Sequence, residues 1–123
     1  MSTFTRAVFE PLDEYRCGRR LYRIPDGFSF DIGFLGSGLS IVVPAGFVTD
    51  GPTIPRWATK LLPVGTMMKS AAIHDCLREN LRFSKPEGDA IFLTAMYAER
   101  TPAWLRELAF LAVRFNNSRA RAV

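Results

Sequence analysis

Three places in the chain hold ionisable side chains where a packed protein would not leave a charge idle. Ile73-His74-Asp75-Cys76 sets the one histidine of the sequence beside a carboxylate on a predicted helix. Asp89 lies three and four residues before Phe92 and Leu93, so it extends the apolar stripe Phe92, Leu93, Met96 and Tyr97 backward. A carboxylate on a core-facing stripe has to be paired, protonated or ligating, because burying it alone is very costly. Asp50 stands in VPAGFVTDGPTIPR, Val43 to Arg56, between a β-branched apolar run and a loop with two prolines.

Asp50, His74, Asp75 and Asp89 are therefore candidates to converge, and several chemistries would use them. A mostly carboxylate site of Asp50, His74 and Asp89 suits a hard divalent cation, Mg²⁺ or Mn²⁺. Acid–base catalysis suits His74, with Asp75 or Asp50 as the orienting carboxylate. Thr53 or Ser70 as a nucleophile is a weaker reading, since no strained elbow motif surrounds either. Zinc has little support: one histidine does not make the usual set, and Cys76 lies about 200° around the helix from His74. Beside these stands a purely structural reading. Asp50-Gly51 would close a turn, Asp89 would bond a helix N-terminus or Arg78, and His74 would be a satisfied helix-face histidine.

The elements that would carry these residues change character near residue 65. Before it, Gly, Pro, Phe and Val are frequent, and Phe28-Ser29-Phe30-Asp31-Ile32 alternates with the period of a strand. Pro25-Asp26-Gly27 and Gly36-Ser37-Gly38 supply turns. Strands are expected at 5–10, 20–24, 28–34 and 39–43, with an extension at 46–49. After it, Thr66 to Arg82 holds no Gly or Pro and reads as a helix. Ser84-Lys85-Pro86-Glu87 has the spacing of a capping box and opens a second helix to about Arg100. Thr101-Pro102 reads as an N-cap with proline at the first helical position of a third helix, ending near Phe115. Its stripe Leu105, Leu108, Ala109, Ala112 and Phe115 would face a core, while Trp104 and Leu111 stray from it. The expected fold is α+β: a small N-terminal antiparallel sheet followed by three helices packed on it. It forms a single domain over 1–123, with 1–65 mainly β and loop, 66–116 helical and 117–123 a basic tail.

Bulk properties narrow the function classes. A chain of 123 residues, 48% hydrophobic, fits one globular core. No apolar run is long enough to span a membrane, and MSTFTRAVFEPLDEY lacks a signal-peptide core. The expected place of synthesis is a cytoplasm, with Cys17 and Cys76 as reduced thiols. The net charge of +4 is spread along the chain rather than clustered with aromatics, which argues against nucleic acid. Trp57 and Trp104 are read as core or interface anchors.

At Val43 to Pro55, His74-Asp75, Asp89 and Val113-Arg114 the sequence resembles a group of small proteins of unknown function encoded by tailed bacteriophages and prophages. Their pattern is a strand ending V-P-x-G-F-x-T-D-G-x-S-x-P, then H-D on a helix, a later aspartate and a closing V-R. Two departures are plain. Thr53 stands where serine is usual, and Cys76-Leu77 where a tyrosine-containing stretch is frequent; Gly88 also precedes Asp89 where alanine is common. The resemblance implies a phage or prophage origin and treats the acidic and histidine positions as one site, without implying an activity. The expectation it supports is a virion-associated protein of the tail or its assembly, made in the host cytoplasm. Its partners would be other phage structural proteins or a second copy, met through Trp104 and the tail residues Arg119 and Arg121. The alternatives are a small hydrolase, metal-assisted or His/Asp-based, acting on cell-wall peptide or a phosphorylated small molecule, and a nucleotide-sequestering antagonist of host defence using Arg56 and Arg78.

Overall fold

Alternation in Phe28-Ser29-Phe30-Asp31 sends two phenylalanines to one face of a strand, where both are buried, and two half-buried polar side chains to the other. The computed structural model describes residues 3–16, 18–34, 36–51, 67–79 and 83–115. The chain divides into two compact units, Met1–Gly51 and Pro52–Val123. The described strands all lie in the first and the described helices in the second, so the fold class is α+β, as expected.

The first unit contains β1 (Thr3–Phe4), β2 (Glu10–Arg16), β3 (Arg19–Ile24), β4 (Phe28–Asp31), β5 (Ser40–Val43) and β6 (Phe47–Thr49). They form not one sheet but two antiparallel ones, ordered β1-β4-β5 and β2-β3-β6. The strand expected over 5–10 falls on the break between β1 and β2. β2 runs on to Arg16, where Glu-Pro-Leu-Asp-Glu-Tyr-Arg shows neither apolar content nor clean alternation. Pairing with β3 holds it, with an irregular register between Pro11 and Tyr15. The cross-strand pairs Arg23–Glu10 (3.0 Å) and Arg20–Asp13 (3.1 Å) are exposed and add little. Apolar contact does more: Phe4 stacks on Phe30 with ring centroids 4.5 Å apart, and Leu21, Ile24, Ile41 and Val43 are buried. The carbonyl of Ile24 accepts from both Gly27 N–H (3.2 Å) and Gly46 N–H (2.8 Å), which brings the β3–β4 and β5–β6 turns together.

The second unit holds α1 (Met68–Glu79), α2 (Lys85–Ala98) and α3 (Ala103–Phe115), around Met67, Phe92, Met96, Leu105, Ala109 and Val113. The capping box forms as its spacing predicts: Glu87 N–H donates to Ser84 Oγ, and Glu87 Oε1 accepts from Ser84 N–H at 2.8 Å. α2 ends with Arg100 in the left-handed region (φ 59°), Thr101 N–H reaching Met96 O and Arg100 N–H reaching Tyr97 O, a Schellman closure without glycine. Two expectations fail nearby. Thr101 is not the cap of α3: the Pro102 carbonyl accepts from Arg106 N–H, and the buried Thr101 hydroxyl has no hydrogen-bond partner among the described residues. Tyr97 is not on the core stripe but 56% exposed, with the Arg106 guanidinium 3.9 Å over its ring.

α1 begins without a capping side chain of its own, since Met67, buried and in the left-handed region (φ 66°), precedes it. Glu99, at the far end of α2, supplies the cap instead. Its carboxylate accepts from Lys69 N–H (3.1 Å), Ser70 N–H (3.0 Å) and Ser70 Oγ (2.6 Å). Those amides are among the orphan donors of a helix start, where a negative charge is also favoured. Glu99→Ala is expected to cost about 1–2 kcal/mol. Hydrogen exchange should accelerate at Lys69 and Ser70 while the α3 amides keep their relative protection; a uniform loss of protection would count against this local cap.

Candidate functional site

α1 is buried on most of its circumference, at Ala71, Ala72, Ile73 and Leu77 as well as at His74, so the His74 ring is packed inside rather than left in solvent. Asp89, one turn into α2, is 2% exposed. The two meet: His74 Nε2 lies 3.0 Å from Asp89 Oδ1. A carboxylate only accepts, so Nε2 carries the proton and donates it, leaving Nδ1 with the lone pair in the neutral ring. The imidazole also lies against Phe92, centroids 4.7 Å apart. Gly88, beside Asp89, faces Leu77 of α1, and an alanine there would meet Leu77 Cβ at an ordinary 3.6 Å, so the approach of α1 and α2 does not depend on glycine.

The second oxygen of Asp89 is taken by two cations. Lys85 Nζ donates to Oδ2 at 2.7 Å from one turn earlier on α2, and Arg114 Nη1 stands 3.6 Å away. The Lys85 ammonium also donates to the carbonyl of Val113 (2.6 Å) and stands 3.4 Å from that of Arg114, at the end of α3. Cations suit that end, where carbonyls lack helical partners. One carboxylate thus joins His74 of α1 to Lys85 of α2, and Lys85 joins both to α3.

Burial of the imidazole disfavours its charged form and lowers the His74 pKa from its ordinary value, outweighing the hydrogen bond and charge of Asp89, which raise it. For Asp89, burial acts to raise the pKa, but the hydrogen bonds and charges of Lys85 and His74 prevail and hold it below the ordinary carboxylate value. Neutral imidazole beside ionised carboxylate is the resulting state at neutral pH. Because the folded protein binds the His74 proton less readily than the unfolded chain, stability from this group is complete above about pH 6.5 and falls as pH drops toward the lower folded value. His74→Gln should flatten the dependence of Tm on pH in that window. An unchanged slope between wild type and variant would show that His74 is not its source.

Of the residues singled out in the sequence, His74 and Asp89 come together. The described hydrogen bond of His74 goes to Asp89, not to its neighbour Asp75, which is half-buried. Asp50 follows β6 in the first unit, half-buried, and the adjoining turn is made by Gly51 N–H donating to Thr49 Oγ1 at 3.2 Å. Thr53, Arg56, Trp57, Arg119 and Arg121 lie outside the described residues. Trp104 and Leu111 are 46% and 52% exposed. Lys85 and Arg114 were not anticipated as partners of Asp89. The Lys85–Asp89 spacing of four was a legible signal, whereas Arg114, marked only as part of the closing V-R of the resemblance, has no spacing that ties it to Asp89. Among the described residues no three or more His, Cys, Asp or Glu side chains are grouped to hold a metal ion, and no helix is long and apolar enough to cross a membrane.

No curated protein and no solved structure matches the chain. A family model described as protein of unknown function (DUF1353) matches residues 35–113, well over half of the sequence. The match takes in Val43 to Pro55, His74, Lys85, Asp89 and Glu99, and leaves out β1 to β4 and Arg114. By that match the chain belongs to the DUF1353 family of proteins of unknown function.

Proposed function

We propose that the protein is a virion-associated component of a tailed phage or prophage, of the tail or its assembly, that acts by binding other proteins. The His74–Asp89–Lys85 cluster is then a fastener inside the helical unit. The observation that carries this reading is the outer face of α3. Trp104 and Leu111, two turns apart, stand 46% and 52% exposed, while Leu105, Ala109 and Val113 are buried. Tryptophan is enriched among the residues that anchor protein interfaces. The resemblance of Val43–Pro55, His74-Asp75 and Val113-Arg114 to phage proteins supports the origin. The occupied Asp89 oxygens support the fastener, since both are already spent on protein donors. The test is to purify particles of the encoding phage and quantify the chain by mass spectrometry. Stoichiometric recovery is expected for wild type, with a marked drop for Trp104→Ala/Leu111→Ser. Absence of the wild-type chain from both particles and assembly intermediates would overturn the reading.

A second reading takes the same pair as a reaction centre. A neutral imidazole with Nε2–H held by Asp89 leaves Nδ1 as a base, which suits hydrolysis of cell-wall peptide or a phosphorylated small molecule. Turnover of murein peptide or of a generic phosphate ester by wild type, lost in His74→Gln at unchanged stability, would favour it. A Tm raised by Mg²⁺ or Mn²⁺ and lowered by chelator would favour the metal-assisted form.

A further inference from the structure

Residues 32–49 contain no Asp, Glu, Lys or Arg, although the chain has 16 basic and 12 acidic side chains. Two large apolar side chains of this stretch, Phe34 (62% exposed) and Leu39 (64%), stand on the loop between β4 and β5. The backbone that carries them is closed on itself. Ile32 N–H donates to Leu39 O (2.8 Å), and Ser37 N–H donates to Phe34 O (3.1 Å). Gly36 N–H donates to Asp31 Oδ2 (3.0 Å), and Leu39 N–H to Ser37 Oγ (3.2 Å). The hydroxyls are used as well: Ser37 Oγ donates to Ile32 O (2.7 Å), and Ser40 Oγ to Asp31 Oδ1 (2.5 Å). The loop thus spends these polar groups on itself and leaves two apolar side chains outside.

That combination separates two kinds of partner. A stable protein interface takes roughly 800 Å² per side and about one hydrogen bond per 100–200 Å². Two side chains fall far short of that area, and the donors just named are already engaged. A lipid surface asks for apolar side chains to bury, no charge to desolvate, and backbone polar groups satisfied before they leave water. The loop fits this better, since even Asp31, the carboxylate at its base, has both oxygens hydrogen-bonded within it. We propose that Phe34 and Leu39 form a tip that enters the interface of a lipid bilayer, so that the chain binds membranes peripherally. Because the tip is uncharged, binding needs no anionic lipid and salt does not weaken it. Two side chains give no more than the roughly 10⁴ M⁻¹ of a single myristoyl chain. Half of the chain should therefore be bound only at about 0.1 mM lipid or above.

The tip lies in the first unit, and its insertion neither requires nor excludes recovery of the chain with particles. Flotation of the full chain with phosphatidylcholine vesicles, at up to about 5 mM lipid, tests it. Wild type should float with the vesicles equally well at low and high salt. Phe34→Ser/Leu39→Ser should lose at least about tenfold in affinity, whereas Trp104→Ala/Leu111→Ser should bind as wild type does. Phe34→Trp should keep binding. Its emission, beyond that of wild type, should shift to the blue on vesicles and be quenched by brominated lipid chains. Circular dichroism checks each fold, and Phe34→Trp decides if the double variant is misfolded. A wild type that ignores vesicles, binding that survives the double variant, or an added tryptophan that vesicles leave unmoved would each overturn the proposal. So would binding confined to phosphatidylglycerol vesicles and abolished by salt, since basic side chains would then be its source. A chain that ignores vesicles but forms a dimer lost in the double variant would assign the tip to a second copy instead.

Discussion

Asp89→Asn is expected to destabilise the helical unit by about 3 kcal/mol, the low end of the range for removing one partner of a buried ion pair. The substitution is nearly isosteric, so no cavity forms and the effect is electrostatic. An asparagine oxygen can still accept from His74 Nε2, but its NH₂ group then faces the Lys85 ammonium where Oδ2 stood at 2.7 Å. Donor meets donor, and Lys85 keeps only the carbonyls at the end of α3. The loss stays near 3 rather than 5 because Lys85 and Arg114 side chains are 24% and 42% exposed and retain water. Lys85→Gln should cost less, since Asp89 would keep His74 and Arg114. Denaturant unfolding followed by helical ellipticity measures both. The sign with pH is also fixed. The Asp89 pKa is lowered in the fold, so its contribution is present above the unfolded value of about 3.9 and lost as pH falls through the folded one. The gap between wild type and variant should close on strong acidification. A cost below about 1 kcal/mol at neutral pH would contradict a buried, fully paired carboxylate.

The pair at the centre of that prediction was half legible in the sequence. Asp89 announced itself because a carboxylate on an apolar stripe needs a partner, and His74 was a candidate as the sole histidine. Sequence adjacency pointed equally to Asp75, and only the packing of α1 against α2 selects the residue fifteen positions away. The capping box at Ser84 was legible because both of its bonds are local. The cap on α1 was not, because Glu99 lies 29 residues from Ser70 and no short-range pattern links them. β2 was missed for a related reason. Its strand state rests on pairing with β3, not on its own residues. The third helix was legible on its buried side, at Leu105 and Ala109, and in the straying of Trp104 and Leu111. Arg100 gave no sign of its left-handed conformation, which glycine would normally mark.

Gly27 carries the other large expected effect, and Gly36 provides its control. Both have positive φ, +65° and +80°, so alanine at either costs about 1 kcal/mol from backbone conformation alone. They differ in what a Cβ would meet. At Gly36 nothing among the described residues lies within 4 Å, whereas at Gly27 a Cβ would fall 2.2 Å from Val43 O and 2.9 Å from Ala45 N. Those are backbone atoms at the end of β5 and in the turn that follows it, and no rotamer change can move them. That turn is held close because Ile24 O accepts from Gly46 N–H as well as from Gly27 N–H. Relief would require parting β4 from β5 at the Phe28–Val43 pair or breaking one of these hydrogen bonds. Gly27→Ala should therefore cost about 3 kcal/mol or more, against about 1 for Gly36→Ala. Unfolding of both variants, followed by tertiary aromatic ellipticity from the Phe4–Phe30 stack, measures the difference. Equal costs at the two positions would mean that a Cβ at Gly27 meets no clash with the Val43 carbonyl. A larger cost at Gly27 would isolate the clash itself, because the conformational penalty is common to both.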